Sequence, residues 1–350
     1  MQPVDPAYRI VSRSTEIPRR QILRSLGALG AASLLPEFAF PRQGAATKPY
    51  RVDTHYHSNA PGFIAAIKAR NTGQTALMNW TPAKAIEDMD RNGVATSIGS
   101  TSEPSVWFGD DAAARKLARE CNEYGAKLMS DYPGRFGMFV TLPLPDVDGA
   151  LKEIEYGLDT LKGDGICFMS SYQGKYLGDP AFTPIMQELN RRKAICYTHP
   201  FRAECCQTIL PDGWGMGLEL SNDTTRTIAS LLYSGTVVKF PDIRFIWSHG
   251  GGTVPFLVGR LGGASRVLPN GLVPELQKFY YDTAQLYNPY ALAALAKLVP
   301  NSHILFGTDY PFTQAEVVAK GLREYGFSAS DLHAIERDNA IALFPKYKNV

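Results

Sequence analysis

Two histidines spaced two residues apart, His55 and His57, lie in the stretch Val52-Asp53-Thr54-His55-Tyr56-His57. On a β-strand, residues i and i+2 point to the same face, so both imidazoles project to one spot. Two convergent neutral imidazoles make half of a transition-metal site. Three more residues of matching chemistry follow: His199 in Tyr197-Thr198-His199-Pro200, His249 in Trp247-Ser248-His249-Gly250-Gly251-Gly252, and Asp309 in Phe306-Gly307-Thr308-Asp309-Tyr310-Pro311. Each closes a run with the length and composition of a strand. Of the six histidines in the chain, four belong to this set, a clustering that core packing alone does not produce. Three imidazoles and one carboxylate, with an open position for water, describe a catalytic site for a borderline divalent metal, zinc first. Such an ion lowers the pKa of bound water toward neutrality. The remaining histidine is then free to act as a base, since imidazole titrates near working pH.

These residues need a scaffold that gathers strand ends. From residue 50 the chain alternates β-branched or aromatic runs with longer stretches rich in Ala, Leu, Lys and Glu. The pattern predicts strands at 51–57, 95–100, 136–142, 165–170, 194–198, 245–248, 279–283 and 303–307. Helices are expected at 82–92, 111–132, 147–161, 184–191, 223–234, 254–261, 289–298 and 315–325. Strands alternating with helices imply parallel pairing through crossovers. Eight such units predict an α/β fold, a (β/α)8 TIM barrel, whose active residues stand at the C-terminal ends of the strands. An open doubly wound sheet is the runner-up, but no glycine-rich phosphate loop follows the first strand. Two insertions break the repeat, 58–81 after strand one and 201–222 after strand five. Loops of that length usually serve as lids or binding loops. A C-terminal helix is expected over 331–343, with Ser330 as its N-cap and Pro345 as its stop.

With these elements in place, the strings Asp53-x-His55-x-His57, Thr198-His199-Pro200, Ser248-His249-Gly250-Gly251 and Gly307-Thr308-Asp309-Tyr310-Pro311 resemble the amidohydrolase superfamily of metal-dependent barrels. They resemble in particular its branch of aminocarboxymuconate semialdehyde, 6-methylsalicylate and resorcylate decarboxylases. The resemblance covers residues 50 to about 345. It implies that His55, His57, His199 and Asp309 hold one metal ion, zinc with manganese as the alternative. It implies that His249 is the catalytic histidine that positions or deprotonates the metal-bound water, and that Asp309 also shuttles a proton. Related manganese enzymes tend to carry Glu at the position of His55. Members with two metals carry a carboxylated lysine at the end of strand four, where this chain reads Gly165-Ile166-Cys167-Phe168-Met169-Ser170 and Lys175 lies further on. One ion is therefore expected. The implied activity is decarboxylation of an aromatic or unsaturated carboxylic acid. Because the branch also holds hydrolases, the alternative is hydrolysis of a lactone, amide or similar carbonyl compound. A homodimer is expected by analogy.

A small-molecule carboxylate substrate needs a cationic partner in a site that excludes water. Arg202, three residues past His199, is the preferred anchor, with Arg226 and Arg70 as further candidates. Phe201, Phe63, Trp80, Trp107 and Trp214 are candidates for an aromatic wall. Asp282, at the end of strand seven, is expected either to support a ligand or to cap a turn.

The formal net charge is +2 and no basic block recurs after the N-terminus, so nucleic acid is not the expected partner. Five cysteines without a C-x-x-C pair argue against a disulfide framework or a cysteine-rich zinc site. Cys167 and Cys196 sit in apolar runs and read as buried small hydrophobes, while Cys205-Cys206 falls in a loop. Residues 1–49 read as a targeting segment and 50–350 as the barrel. Pro18-Arg19-Arg20-Gln21-Ile22-Leu23-Arg24 resembles a twin-arginine export signal, and Gly44-Ala45-Ala46 offers small residues for cleavage. The expected location is periplasmic, with no membrane insertion after cleavage. An uncleaved signal acting as a membrane anchor is the alternative.

Overall fold

The computed structural model describes residues 49–350, apart from 73, 204–205 and 207–215. The twin-arginine-like segment, Cys205 and Trp214 lie outside the described residues. Those described fall in one unit, Thr47–Val350.

Eight parallel strands make the frame: β1 Arg51–His57, β2 Val94–Ser100, β3 Phe136–Thr141, β4 Gly165–Met169, β5 Ile195–His199, β6 Arg244–Trp247, β7 Tyr280–Asp282 and β8 Ile304–Leu305. They pair in chain order, each with its sequence neighbour. Backbone bonds then join the last strand to the first: Thr54 N–H donates to Phe306 O at 2.9 Å and His57 N–H to Tyr310 O at 2.9 Å. The sheet thus closes as the expected (β/α)8 barrel. Both faces of its strands are covered, which is why they read as apolar runs and not as alternating patterns; all seven residues of β2 are buried. Inside, Phe139 and Tyr197 stack at 5.0 Å, and Tyr197 meets the His55 ring edge-on at 5.3 Å, forming a packed floor under the strand ends.

The helices hold the frame from outside. Asp111–Asp131 begins where the Asp110 side chain accepts from Ala113 N–H at 2.7 Å. Its inner face includes Asn122, whose amide clamps both backbone groups of Thr141 at 2.7 and 2.9 Å. Helices Pro289–Leu298 and Ala315–Tyr325 have the predicted bounds.

Elsewhere the structure corrects the expectation. The first insertion is not an open loop. It holds helices Pro61–Ala69 and Thr75–Met78, which bury Phe63, Ile67 and Leu77 in a small cluster of their own. The helix expected at 223–234 starts earlier and spans Met216–Tyr233, so the end of the second insertion is helical. The helix expected at 254–261 stops at Leu257 and gives way to a 3-10 segment, Arg260–Arg266. The C-terminal helix starts at Ala329, because Ser328 and not Ser330 is its cap: Asp331 N–H donates to Ser328 Oγ at 3.1 Å. Among the described residues no helix is long and apolar enough to cross a membrane.

Candidate metal centre and catalytic cavity

The strand ends bring His55, His57, His199 and Asp309 together. One candidate ligand atom from each lies within 4.8 Å of all the others, and all four residues are buried. Each histidine turns Nδ1 outward to an oxygen. His55 Nδ1 lies 2.7 Å from Asp282 Oδ2. His199 Nδ1 lies 2.9 Å from Pro200 O. His57 Nδ1 is more loosely held, 3.2 Å from Ser100 Oγ and 3.4 Å from Ser100 O. With Nδ1 so engaged, Nε2 is the nitrogen of each ring left to the shared locus.

The electrostatics match that arrangement. Burial works against a charge on Asp309, yet His55, His57 and His249 hold its pKa well below the usual carboxylate range. Burial likewise opposes a charge on His55, but Asp282 and Asp309 outweigh it and hold its pKa up at about 10. Burial, helped by the neighbouring His57 and His55, keeps His199 well below its ordinary value. Burial also lowers His57. Without an ion the positive charge of the site sits on His55, between Asp282 and Asp309, while His57 and His199 resist protonation; a divalent cation can take that place. One atom makes the demand specific. His55 Nε2 is buried without a hydrogen-bond partner, 3.2 Å from Asp309 Oδ1. In the neutral ring, with Nδ1–H given to Asp282, the Nε2 lone pair faces a carboxylate lone pair. An orphaned buried acceptor of this kind costs on the order of 1–3 kcal/mol, and a divalent cation bound by both atoms removes the cost. The residues present fit such an ion.

His249 stands beside the four and outside their cluster, its ring 4.8 Å from that of His55 and 6.2 Å from that of His199. Burial and the charge of His55 lower its pKa. Its backbone is left-handed, φ 52° and ψ 44°, a conformation costly for most side chains. Gly250, Gly251 and Gly252 continue with positive φ, which is what the glycine run after His249 is for. At Gly252 a Cβ would also lie 2.0 Å from Ser221 O. Asp282 serves two purposes at once. Its Oδ2 holds His55, while its Oδ1 accepts from His249 N–H at 2.9 Å and Ala284 N–H at 3.0 Å.

A cavity of about 450 Å³ opens above these residues, with His199, His249 and Asp309 in its wall. The structure places Arg202, Phe201 and Arg226, the expected substrate contacts, outside that wall. Arg202 packs near Glu103, Nε to Oε1 at 3.9 Å. Arg226 faces Glu219 and Asp223 at 3.6 and 3.7 Å. Phe201 N–H donates to Ser170 Oγ at 2.7 Å, and its ring packs on the core. Arg70 lies over the Phe108 ring at 4.2 Å, and Phe63 and Trp80 are core residues. The wall is built instead from Gln74, Ser102, Glu103, Leu220, Gln285, Leu286 and Phe312, among others. Glu103 and Gln285 each follow a strand by a few residues, so the rule that found His199 and Asp309 reaches them too. Gln285 Nε2 donates to Asp309 Oδ2 at 3.1 Å, fixing the outer oxygen of that carboxyl group. Gln74 carried no comparable signal. Cys167 and Cys196 are buried as expected, and burial pushes the Cys167 thiol up to about 12.

Known proteins resemble this chain over most of its length. A decarboxylase from Aspergillus niger is 33% identical over 327 residues, covering 85% of this chain and 88% of that protein. A 6-methylsalicylic acid decarboxylase from Aspergillus aculeatus is 34% identical over 322 residues, covering 85% and 97%. An amidohydrolase II of solved structure superposes with a TM-score of 0.78 at 28% identity, covering 84% of this chain and 99% of that one. A dihydroxybenzoic acid decarboxylase from Polaromonas sp., solved with manganese and the inhibitor 2-nitroresorcinol, superposes at 0.73 with 21% identity, covering 86% and 98%; that similarity is one of fold. The family model described as Amidohydrolase matches residues 52–346, and the chain belongs to that family.

Proposed function

We propose that the protein is a metal-dependent carboxy-lyase that removes carbon dioxide from an aromatic carboxylic acid. One observation favours this over hydrolysis: two relatives more than 30% identical over most of the chain are both named decarboxylases. His55, His57, His199 and Asp309 would hold one divalent ion, and three imidazoles with one carboxylate favour zinc, manganese being the alternative. When bound, the ion supplies a Lewis-acid charge that draws substrate oxygens to the floor of the cavity and polarises them.

The chain's own residues then handle the proton. His249 Nδ1 donates to Ala284 O at 3.2 Å, which leaves Nε2 as the basic nitrogen. Burial keeps the ring neutral until a carboxylate ligand arrives, whose charge favours the protonated form. Nε2–H then gives its proton to the ring carbon that bears the carboxylate. The carbon–carbon pair returns to the ring as carbon dioxide leaves, so one proton enters for each molecule released. Leu220, Leu286 and Phe312 present apolar surface to the aromatic ring and limit water.

The test is a panel of hydroxylated and methylated benzoic acids, followed by carbon dioxide release, run beside a pH-stat panel of lactones and esters. Release from at least one aromatic acid, absent in the chelated protein, is the expected result. Acid production from a lactone with no carbon dioxide from any acid would replace the lyase with a hydrolase. Reconstitution with zinc or manganese alone, read by turnover, decides the ion. Export by the twin-arginine-like segment and a homodimeric assembly belong to the same proposal, with fractionation and light scattering as their checks.

A further inference from the structure

The two oxygens of Asp282 are divided between two different pieces of the site. Asp282 is fully buried. Oδ2 takes His55 Nδ1 at 2.7 Å, and Oδ1 takes the backbone N–H groups of His249 and Ala284 at 2.9 and 3.0 Å. Nothing in the geometry allows the carboxylate to serve one neighbour without the other, since it has one orientation and all three contacts are buried. Two separate requirements converge here. His55 must keep its proton on Nδ1 so that Nε2 can face the cluster. His249 must hold a left-handed backbone, φ 52° and ψ 44°, to place its ring beside His55.

We propose that Asp282 is a positioning residue that sets both, fixing the proton of His55 with one oxygen and the backbone of His249 with the other. Asp282 is neither a wall residue of the cavity nor one of the four clustered ligand candidates, so it acts through these two histidines. The proposal rests on the reading of the cluster as a metal centre and deepens it. A carboxylate behind a ligating imidazole holds the ring's tautomer and raises its strength as a ligand. Here the same group also anchors the residue that moves the proton, so ligand strength and proton placement are tied to one side chain.

The chemistry makes Asp282→Asn the informative change. The amide has one oxygen and one NH2. Two N–H donors, from His249 and Ala284, face the Oδ1 position and require the oxygen there. The NH2 must then face His55 Nδ1, where donor meets donor. His55 escapes by shifting its proton to Nε2, the nitrogen that faces the cluster, and an incoming ion has to displace that proton. The shape of the site and the backbone of His249 are kept, while the metal-facing lone pair is lost.

The experiment has two arms on the full-length chain. In the first, wild-type protein labelled with 15N-histidine is examined by NMR, chelated and zinc-loaded. A far-downfield, exchange-protected Nδ1–H on His55 is expected in both forms, because Asp282 holds it whether or not the ion is bound. A His55 with Nδ1 unprotonated in either form overturns the proposal, and this arm needs no variant to fold. In the second, zinc affinity of wild type and Asp282→Asn is measured by competition with a chromophoric chelator, alongside the thermal midpoint of the chelated proteins. A loss of affinity of about ten- to a hundred-fold is expected, with the chelated midpoints within a few degrees. Wild-type affinity in Asp282→Asn overturns the proposal. If wild type itself fails to bind zinc or manganese, the metal reading falls, and the chelated-form NMR still decides whether Asp282 fixes His55.

Discussion

Replacing His249 by asparagine isolates the proton-transfer step from everything else at the centre. The structure says why asparagine is the right choice. Position 249 is left-handed, and asparagine tolerates that backbone better than other non-glycine residues. The hydrogen bond to Asp282 is donated by the backbone N–H of residue 249 and survives any side chain except proline. The Asn Nδ2 occupies roughly the place of Nδ1 and can donate to Ala284 O as the imidazole does. What disappears is Nε2. None of the four clustered ligand candidates is touched. Loss of a positioned general acid–base costs about 100- to 10,000-fold in turnover, or about 3–5 kcal/mol of barrier. Stability should change by less than about 1 kcal/mol, because no buried partner loses its bond. The assay is carbon dioxide release with the best acid from the substrate panel, with metal content by elemental analysis and the thermal midpoint measured on the same preparation. Turnover equal to wild type at full metal content would remove His249 from the chemistry. Loss of metal from His249→Asn would mean that His249 is a ligand, and the proton role would pass to another group.

Two further outcomes follow from the same geometry. Asp309→Asn should lose metal and activity together, because Oδ1 lies 3.0 Å from His57 Nε2 and 3.2 Å from His55 Nε2; elemental analysis showing a full metal complement would refute this. Gly252→Ala should destabilise the fold by at least about 2 kcal/mol, since its Cβ would meet the Ser221 carbonyl at 2.0 Å on a backbone with φ 64°; an unchanged chemical-denaturation midpoint would show that the turn relaxes at no cost.

The parts of this site that are legible in the sequence are those that strand geometry dictates. His55 and His57 share a face because a strand has a period of two, and His199 and Asp309 reach them because a closed barrel gathers its strand ends. Asp282 was legible only as a position. Spacing could not choose between ligand support and turn cap, because a carboxylate has two oxygens and this one does both. Arg202 and Arg226 illustrate the opposite case. Their place in the chain, on the segments that follow β5, pointed to the cavity, but side-chain direction depends on tertiary partners. Asp223 and Glu219 draw Arg226 away, and Glu103 lies beside Arg202. The cap at Ser328 in place of Ser330 is a different case, legible in the spacing, since Asp331 follows Ser328 by three residues and only His333 follows Ser330 at that interval.

The displacement of those arginines has a consequence for how an anion is held. Among the described residues, the cavity wall contains Glu103 and no lysine or arginine. Burial raises the Glu103 pKa and so favours its neutral form, which can donate one hydrogen bond to a carboxylate but brings no positive charge. Arg202 stands behind Glu103, so the attractive charge that reaches the cavity directly is at the floor, where the ion would lie beside His249. Ligand and metal should therefore bind cooperatively, each raising the affinity for the other by the same factor. A coupling of 1–3 kcal/mol, about 5- to 150-fold, is the usual size of such an effect. The measurement is calorimetric titration of a non-reacting aromatic acid into chelated and zinc-loaded protein, with zinc affinity taken in the presence and absence of that acid. Equal affinity of the acid for both forms would place its counter-charge elsewhere, on a group that this wall does not contain.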